Sequence, residues 1–247
     1  MDLREFFEKH NKVALGFSGG VDSAYLLWAA HDAGADVRPY YVKTAFQPEF
    51  EYEDALKVCE FVGVEPTVIE LDILEDEKVA ANPSDRCYYC KSRIFGAITE
   101  RAVSDGYEVL IDGTNASDSE DDRPGFRALK ELKVLSPLRL AGLTKDEIRK
   151  KSKEAGLFTW DKPAYACLAT RFQAGERITL EGLKRTEQAE DFLRKLGLTD
   201  FRVRSIDDNA KIEVTEKELG IVFENREKIY EKLSEMYKGV LLDLRVR

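Results

Sequence analysis

Two rhythms alternate along the first part of the chain. Short runs of apolar and β-branched residues are separated by stretches in which apolar positions recur every three to four residues. Lys12-Val-Ala-Leu-Gly-Phe17 reads as a buried strand, and Ser23-Ala-Tyr-Leu-Leu-Trp-Ala-Ala-His31 as the helix after it. Residues 37–42 predict a second strand, 51–62 an amphipathic helix and 66–71 a third strand. A helix over 92–104, a fourth strand over 108–112 and a fifth over 134–138 follow. Thr144-Lys-Asp-Glu147 opens a further helix with a capping box, Thr144 at the N-cap and Glu147 at N3. Strands interleaved with helices in this way predict an α/β fold with a parallel sheet and crossover helices.

The pattern changes near Gln173-Ala-Gly175. A helix over 180–196, strands over 201–206 and 211–214, a helix over 225–237 and a strand over 240–246 make an αββαβ set. This predicts two domains, 1–172 with the parallel sheet and 173–247 as a small α+β domain.

Composition narrows the function classes. A hydrophobic content of 43% against 34% charged residues describes a folded, water-soluble chain. No apolar stretch is long enough to span a membrane, and the charged start Met1-Asp-Leu-Arg-Glu lacks a signal-peptide core, so a cytoplasmic location is expected. The net charge of −9 argues against a nucleic-acid partner, whose phosphates call for a basic face, and favours a small-molecule substrate.

The strongest chemical signal is Ser18-Gly-Gly-Val-Asp-Ser23, between the first strand and its helix. Gly19 and Gly20 let the backbone turn sharply and approach an anion, the helix offers unpaired N–H groups, and Ser18 and Ser23 add hydroxyls. The bland alternative is a tight turn in which these residues serve geometry alone. A Walker A loop is absent. The segment resembles the phosphate loop of PP-loop ATP pyrophosphatases, which cleave ATP between its α- and β-phosphates. That resemblance implies that Asp22 helps to place Mg²⁺, a role suited to a hard oxygen ligand. Asp112-Gly-Thr-Asn-Ala-Ser-Asp118 ends the fourth strand, where open α/β sheets bind ligands, making Gly113 and Thr114 candidates for the same nucleotide. The acidic run Ser119-Glu-Asp-Asp122 reads as a solvated loop.

Of the four cysteines, Cys59 lies in an apolar helical pattern and reads as a buried, inert thiol. Cys87-Tyr-Tyr-Cys90 leaves three readings open: half a zinc site, a redox dithiol, or part of an iron–sulfur site. Cys167, in Pro163-Ala-Tyr-Ala-Cys-Leu-Ala-Thr-Arg171, is either a core thiol or one activated by the arginine. His10, His31, Trp28 and Trp160 read as structural.

Taken in order, the phosphate loop, Arg86-Cys-Tyr-Tyr-Cys-Lys91, Asp112-Gly-Thr-Asn115 and Cys167-Leu-Ala-Thr-Arg171 resemble the LarE family, ATP-dependent sulfur insertases of nickel-pincer cofactor biosynthesis. The resemblance implies adenylation of a carboxylate of pyridinium-3,5-biscarboxylic acid mononucleotide, then displacement of AMP by sulfur. Family members that sacrifice one cysteine match only Cys167. Cys87, Cys90 and Cys167 together match the type that holds a [4Fe–4S] cluster. The cofactors so implied are ATP, Mg²⁺ and the cluster, and the family's habit implies a homo-oligomer.

In the smaller domain, Phe201-Arg-Val-Arg204 sets Arg202 and Arg204 on one strand face, a natural clamp for phosphate or carboxylate. The alternative is a solvated edge strand. The position resembles the family's phosphate-gripping arginines, with Glu190 and Glu213 as candidates for the same face. The leading rival function is a PP-loop tRNA thiolase with a three-cysteine cluster. An ammonia-using ATP pyrophosphatase and a non-enzymatic nucleotide-binding module are the others.

Overall fold

The computed structural model describes residues 1–118 and 124–247; the acidic run 119–122 lies outside the described residues. Four strands, β1 (Lys12–Gly16), β2 (Asp36–Lys43), β3 (Thr67–Glu70) and β4 (Val109–Ile111), form a sheet in the order β3-β2-β1-β4, all parallel. Val13 pairs with Val37 on one side and with Val109 on the other. Both faces are covered, as a parallel sheet requires. Val13, Leu15, Val37 and Tyr41 pack into one core with the helices Leu3–Lys9, Val21–Asp32 and Glu49–Val62. Ala14, Tyr40 and Val42 face the other, with Phe95 and Ile98 of the helix Arg86–Ser104. Because β2 and β3 lie on one side of β1 and β4 on the other, strand order reverses at β1. Ligands bind at the carboxyl ends beside such a reversal.

Two expectations need correction. No fifth strand forms over 134–138: Leu135 makes one isolated parallel bridge to Ile111. Pro137, with no N–H for a ladder, instead opens the short helix Pro137–Leu140. The helix expected from residue 92 begins at Arg86, so Cys87 and Cys90 lie inside its first turns rather than ahead of it. Their polar neighbours carry no apolar period, which hid this turn from the pattern.

The described chain divides into two compact units, residues 1–73 with 85–164, and residues 74–84 with 165–247. In the smaller unit, β5 (Phe201–Ile206) and β6 (Asn209–Val214) pair antiparallel through a tight turn at Asp207 and Asp208, both at positive φ. β7 (Gly239–Leu242) pairs parallel to β6. Phe201 and Val203 share a core with Ala189 and Leu193 of the helix Leu180–Lys195 and with Ile229 and Leu233 of the helix Arg226–Ser234. Residues 74–84 join this unit through backbone bonds from Ile178 to Ala80 (2.8 Å) and from Gly175 to Asn82 (2.7 Å). The Asn82 side chain adds a bond to the Gln173 carbonyl (2.7 Å). Among the described residues no helix is long and apolar enough to cross a membrane.

Candidate active site

The loop after β1 is built around two serines and a glycine at positive φ. Gly19 has φ +71°, and a Cβ there would stand 2.7 Å from Ala55 Cβ, so no other residue fits without displacement. Gly20 is the N-cap of the helix Val21–Asp32. Ser18 Oγ and Ser23 Oγ lie 3.0 Å apart, and Ser23 Oγ donates to the Gly20 carbonyl at 3.2 Å. The hydroxyls thus brace the loop, while the helix N-terminus presents backbone N–H groups of the kind that bind anions.

The turn after β4 meets this loop. A Cβ on Gly113 would lie 3.0 Å from Ser23 N, which explains glycine at this close approach. Asp112 is buried, and its carboxylate accepts from Thr114 Oγ1 (2.5 Å), Thr114 N (3.3 Å) and Ser136 Oγ (2.7 Å). It therefore stiffens the turn. Asp22 differs: Oδ2 lies 2.6 Å from Lys145 Nζ, whereas Oδ1 is buried with no hydrogen-bond partner among the described residues. An orphaned carboxylate oxygen beside a phosphate-type loop is the donor chemistry a Mg²⁺ ion takes, so Asp22 fits the ion implied for it.

These residues line a cavity of about 330 Å³, which also reaches Tyr40, Tyr41, Val42, Gln47, Lys91, Ile94, Phe95, Ile98 and Asp118. One flank is polar and the other carbon-rich, as a nucleotide site requires. The structure thus brings Ser18, Gly20, Asp22, Ser23, Gly113 and Thr114 to one cavity, with Gly19 shaping its loop. Lys145 and Lys91 escaped the sequence reading. For Lys145 the available signal was a lysine at the first position of a helix, where carboxylates are favoured.

Cys59 is buried, and burial pushes its thiol up to about 12, in keeping with an inert core residue. Cys87 is exposed and Cys90 half-buried, three residues apart on one helix. That spacing puts both thiols on neighbouring positions of the helix surface, which suits two ligands of one metal group. Cys167, half-buried in the smaller unit, precedes the short helix Leu168–Arg171. Among the described residues no three His, Cys, Asp or Glu side chains are gathered closely enough to hold a metal.

In the smaller unit Arg171 and Glu190 form a fully buried ion pair, Nε to Oε1 at 2.7 Å and Nη2 to Oε2 at 3.1 Å. Glu190 also accepts from Tyr165 Oη (2.5 Å) and Val203 N (2.9 Å), so each of its oxygens holds two donors. Burial pushes the Tyr165 phenol up, and Glu190 adds to the shift. Arg202 is buried beside the Tyr165 ring and donates to the Phe201 carbonyl. Burial first, then the charges of Arg171 and Arg247, press its pKa down to about 10, against the pull of Glu190 and of Asp200, whose Oδ1 lies 3.8 Å from Arg202 Nη1. Arg204, more exposed, bonds Glu213 Oε2 (2.8 Å) and the Thr170 carbonyl (2.5 Å). Arg202 and Arg204 share one strand face opposite Glu213 and Lys211, as the two-residue spacing predicts.

No protein-family model matches the chain. A protein of Lactiplantibacillus plantarum named pyridinium-3,5-bisthiocarboxylic acid mononucleotide synthase is 30% identical over 94% of this chain and 86% of its own length. The chain belongs to the LarE family. Its fold is that of the PP-loop ATP pyrophosphatases, and LarE proteins are ATP-dependent sulfurtransferases. An uncharacterized protein of Synechocystis is 38% identical over 88% of this chain and 82% of its own. A tRNA-specific 2-thiouridylase of Treponema denticola is 27% identical, over 62% of this chain and 52% of its own, a more distant PP-loop relative.

Proposed function

We propose that this LarE-family chain adenylates a carboxylate of pyridinium-3,5-biscarboxylic acid mononucleotide and replaces the AMP with sulfur, giving a thiocarboxylate. The observation that carries this reading is the meeting of the Ser18–Ser23 loop and the Gly113 turn around the orphaned Asp22 Oδ1. In the larger unit, Ser18, Gly19, Gly20 and Ser23 would hold the departing pyrophosphate, with Gly113 and Thr114 along its path. Asp22 would hold Mg²⁺, which supplies charge neutralisation at the phosphates. A carboxylate oxygen of the substrate attacks the α-phosphorus, the bond to pyrophosphate breaks, and AMP becomes the leaving group for sulfur.

In the smaller unit, Arg202 and Arg204 would take the phosphate of the mononucleotide. The placement of both guanidinium groups on one strand face supports this, because two such groups side by side suit a phosphate. Glu190 would act through Arg171, which it holds in place, rather than by touching substrate. Following the family resemblance, Cys87 and Cys90 of the larger unit and Cys167 of the smaller would be the thiolates for a [4Fe–4S] cluster, which would supply sulfide-level sulfur for transfer. The protein would work in the cytoplasm as a homo-oligomer; the exposed Phe223, Tyr230 and Leu241 supply apolar surface for a second copy.

The test is anaerobic reconstitution followed by incubation with ATP, Mg²⁺ and the biscarboxylic mononucleotide. AMP, pyrophosphate and a thiocarboxylate product in equal amounts are expected. ADP and orthophosphate in place of AMP would end this reading. The similarity to tRNA thiouridylases keeps one rival in view, and AMP release dependent on tRNA instead of the mononucleotide would favour it.

A further inference from the structure

The side chain of Gln47 is locked into a single orientation by its neighbours. Thr44 N donates to Gln47 Oε1 at 3.1 Å, and a backbone N–H can only donate, so the atom facing it must be the oxygen. Phe46 N donates to Thr44 Oγ1 at 3.1 Å, which leaves that hydroxyl to donate onward to Gln47 Oε1 at 2.7 Å. Both lone pairs of Oε1 are thereby taken. Whatever Gln47 offers the cavity it lines, it offers as an amide N–H donor.

The sheet order says which part of a nucleotide would meet that donor. The phosphate loop follows β1 and the Asp112–Gly113 turn follows β4, on the opposite side of β1 from β2. Gln47 lies in the loop after β2, and the wall that β2 contributes is Tyr40, Tyr41 and Val42, uncharged and largely carbon. With phosphates over β1 and β4, the base of the nucleotide lies toward β2. An amide donor at that flank has the ring nitrogens of a purine as its natural acceptors.

We infer that Gln47 is a specificity residue for the adenylation step, donating its amide N–H to an unprotonated ring nitrogen of the bound purine. The inference rests on the nucleotide reading of the cavity. Thr44 is then a positioning residue, because it dictates which end of the amide faces the base. The arrangement discriminates by chemistry: a base that presents N–H at that position would set donor against donor and leave a polar group unpaired.

Binding of ATP, 1-deaza-ATP, 3-deaza-ATP and 7-deaza-ATP to the full chain with Mg²⁺, without acceptor substrate, tests this by titration calorimetry. The wild type should bind one of the three analogues about tenfold more weakly than ATP, the effect of one good hydrogen bond. Gln47→Glu keeps the oxygen that ties the side chain to Thr44 but removes the donor. Its added charge weakens all four ligands alike, so the preference for ATP over that analogue should vanish. Gln47→Leu should abolish the same preference without any added charge. Unchanged ratios in both variants, or no discrimination among analogues by the wild type, would overturn the inference while leaving the site a nucleotide site. No ATP binding at all would overturn the nucleotide reading itself.

Discussion

Lys145 sets its ammonium 2.6 Å from Asp22 Oδ2, so one oxygen of this carboxylate is already neutralised while the other, buried, waits without a partner. A pair so arranged can hand charge to an arriving ion without leaving a bare carboxylate in the cavity. Asp22→Asn should therefore lower pyrophosphate release by about 10²-fold or more, the scale of losing a charge-stabilising contact at a phosphoryl centre. The wild type should respond steeply to added Mg²⁺ and the variant weakly. A pyrophosphate-release assay across a magnesium series reads both effects.

Gly19 makes a second prediction, about stability rather than chemistry. Alanine there would combine a positive φ with a Cβ 2.7 Å from Ala55. Overpacking of this kind costs about 1–3 kcal/mol. Gly19→Ala should melt several degrees below the wild type by scanning calorimetry. Gly34→Ala, also at positive φ but with open space around it, should cost less.

Glu190 is the side chain whose loss the smaller unit should tolerate least. It sits at 1% exposure with four donors on its two oxygens. Removing one member of a buried ion pair costs about 3–5 kcal/mol, because the partner charge stays behind. Glu190→Ala should unfold this unit at markedly lower denaturant than Arg204→Ala, whose side chain is more than one-third exposed. Chemical denaturation followed by circular dichroism distinguishes the two.

The smaller unit should also weaken in acid. Glu218 is buried, which alone would raise its pKa. Bonds from the backbone N–H groups of Asp200 (2.9 Å) and Thr199 (2.6 Å), and from Thr215 Oγ1 (3.1 Å), outweigh burial and hold it below the usual carboxylate range. A depressed folded pKa means that the stabilisation is complete above the unfolded value of about 4.3 and is lost as pH falls through the folded value. Glu218→Gln should remove this part of the acid dependence, seen as a flatter melting-temperature profile below about pH 4.3.

How much of this was legible in the sequence follows from the range of the forces involved. The sheet strands were readable because Val13–Leu15 of β1 and Pro39–Val42 of β2 are buried and form unbroken apolar runs. The Thr144–Glu147 capping box formed as its spacing predicts. Local signals failed where a distant partner decides the outcome. Residues 74–84 give no hint that Ala80 and Asn82 bond to the segment near residue 175. Nor does any pattern link Asp22 to Lys145, which stand 123 positions apart. The sequence offers Glu190 as a candidate for the substrate face, and its partners there, the Arg171 guanidinium and the Tyr165 hydroxyl, are ones only packing reveals.

The helix Arg86–Ser104 carries Cys87 and Cys90 near its start and Ile94, Phe95 and Ile98 on the cavity wall, with Phe95 pressed so close to Gly16 that a methyl there would collide at 2.7 Å. Four residues of helix advance by about 6 Å. The thiol of Cys90 and the wall residue Ile94 therefore belong to one stiff rod only a turn apart. The thiols and the apolar wall of the cavity thus share a single support, so a substitution that tilts this helix would displace both together.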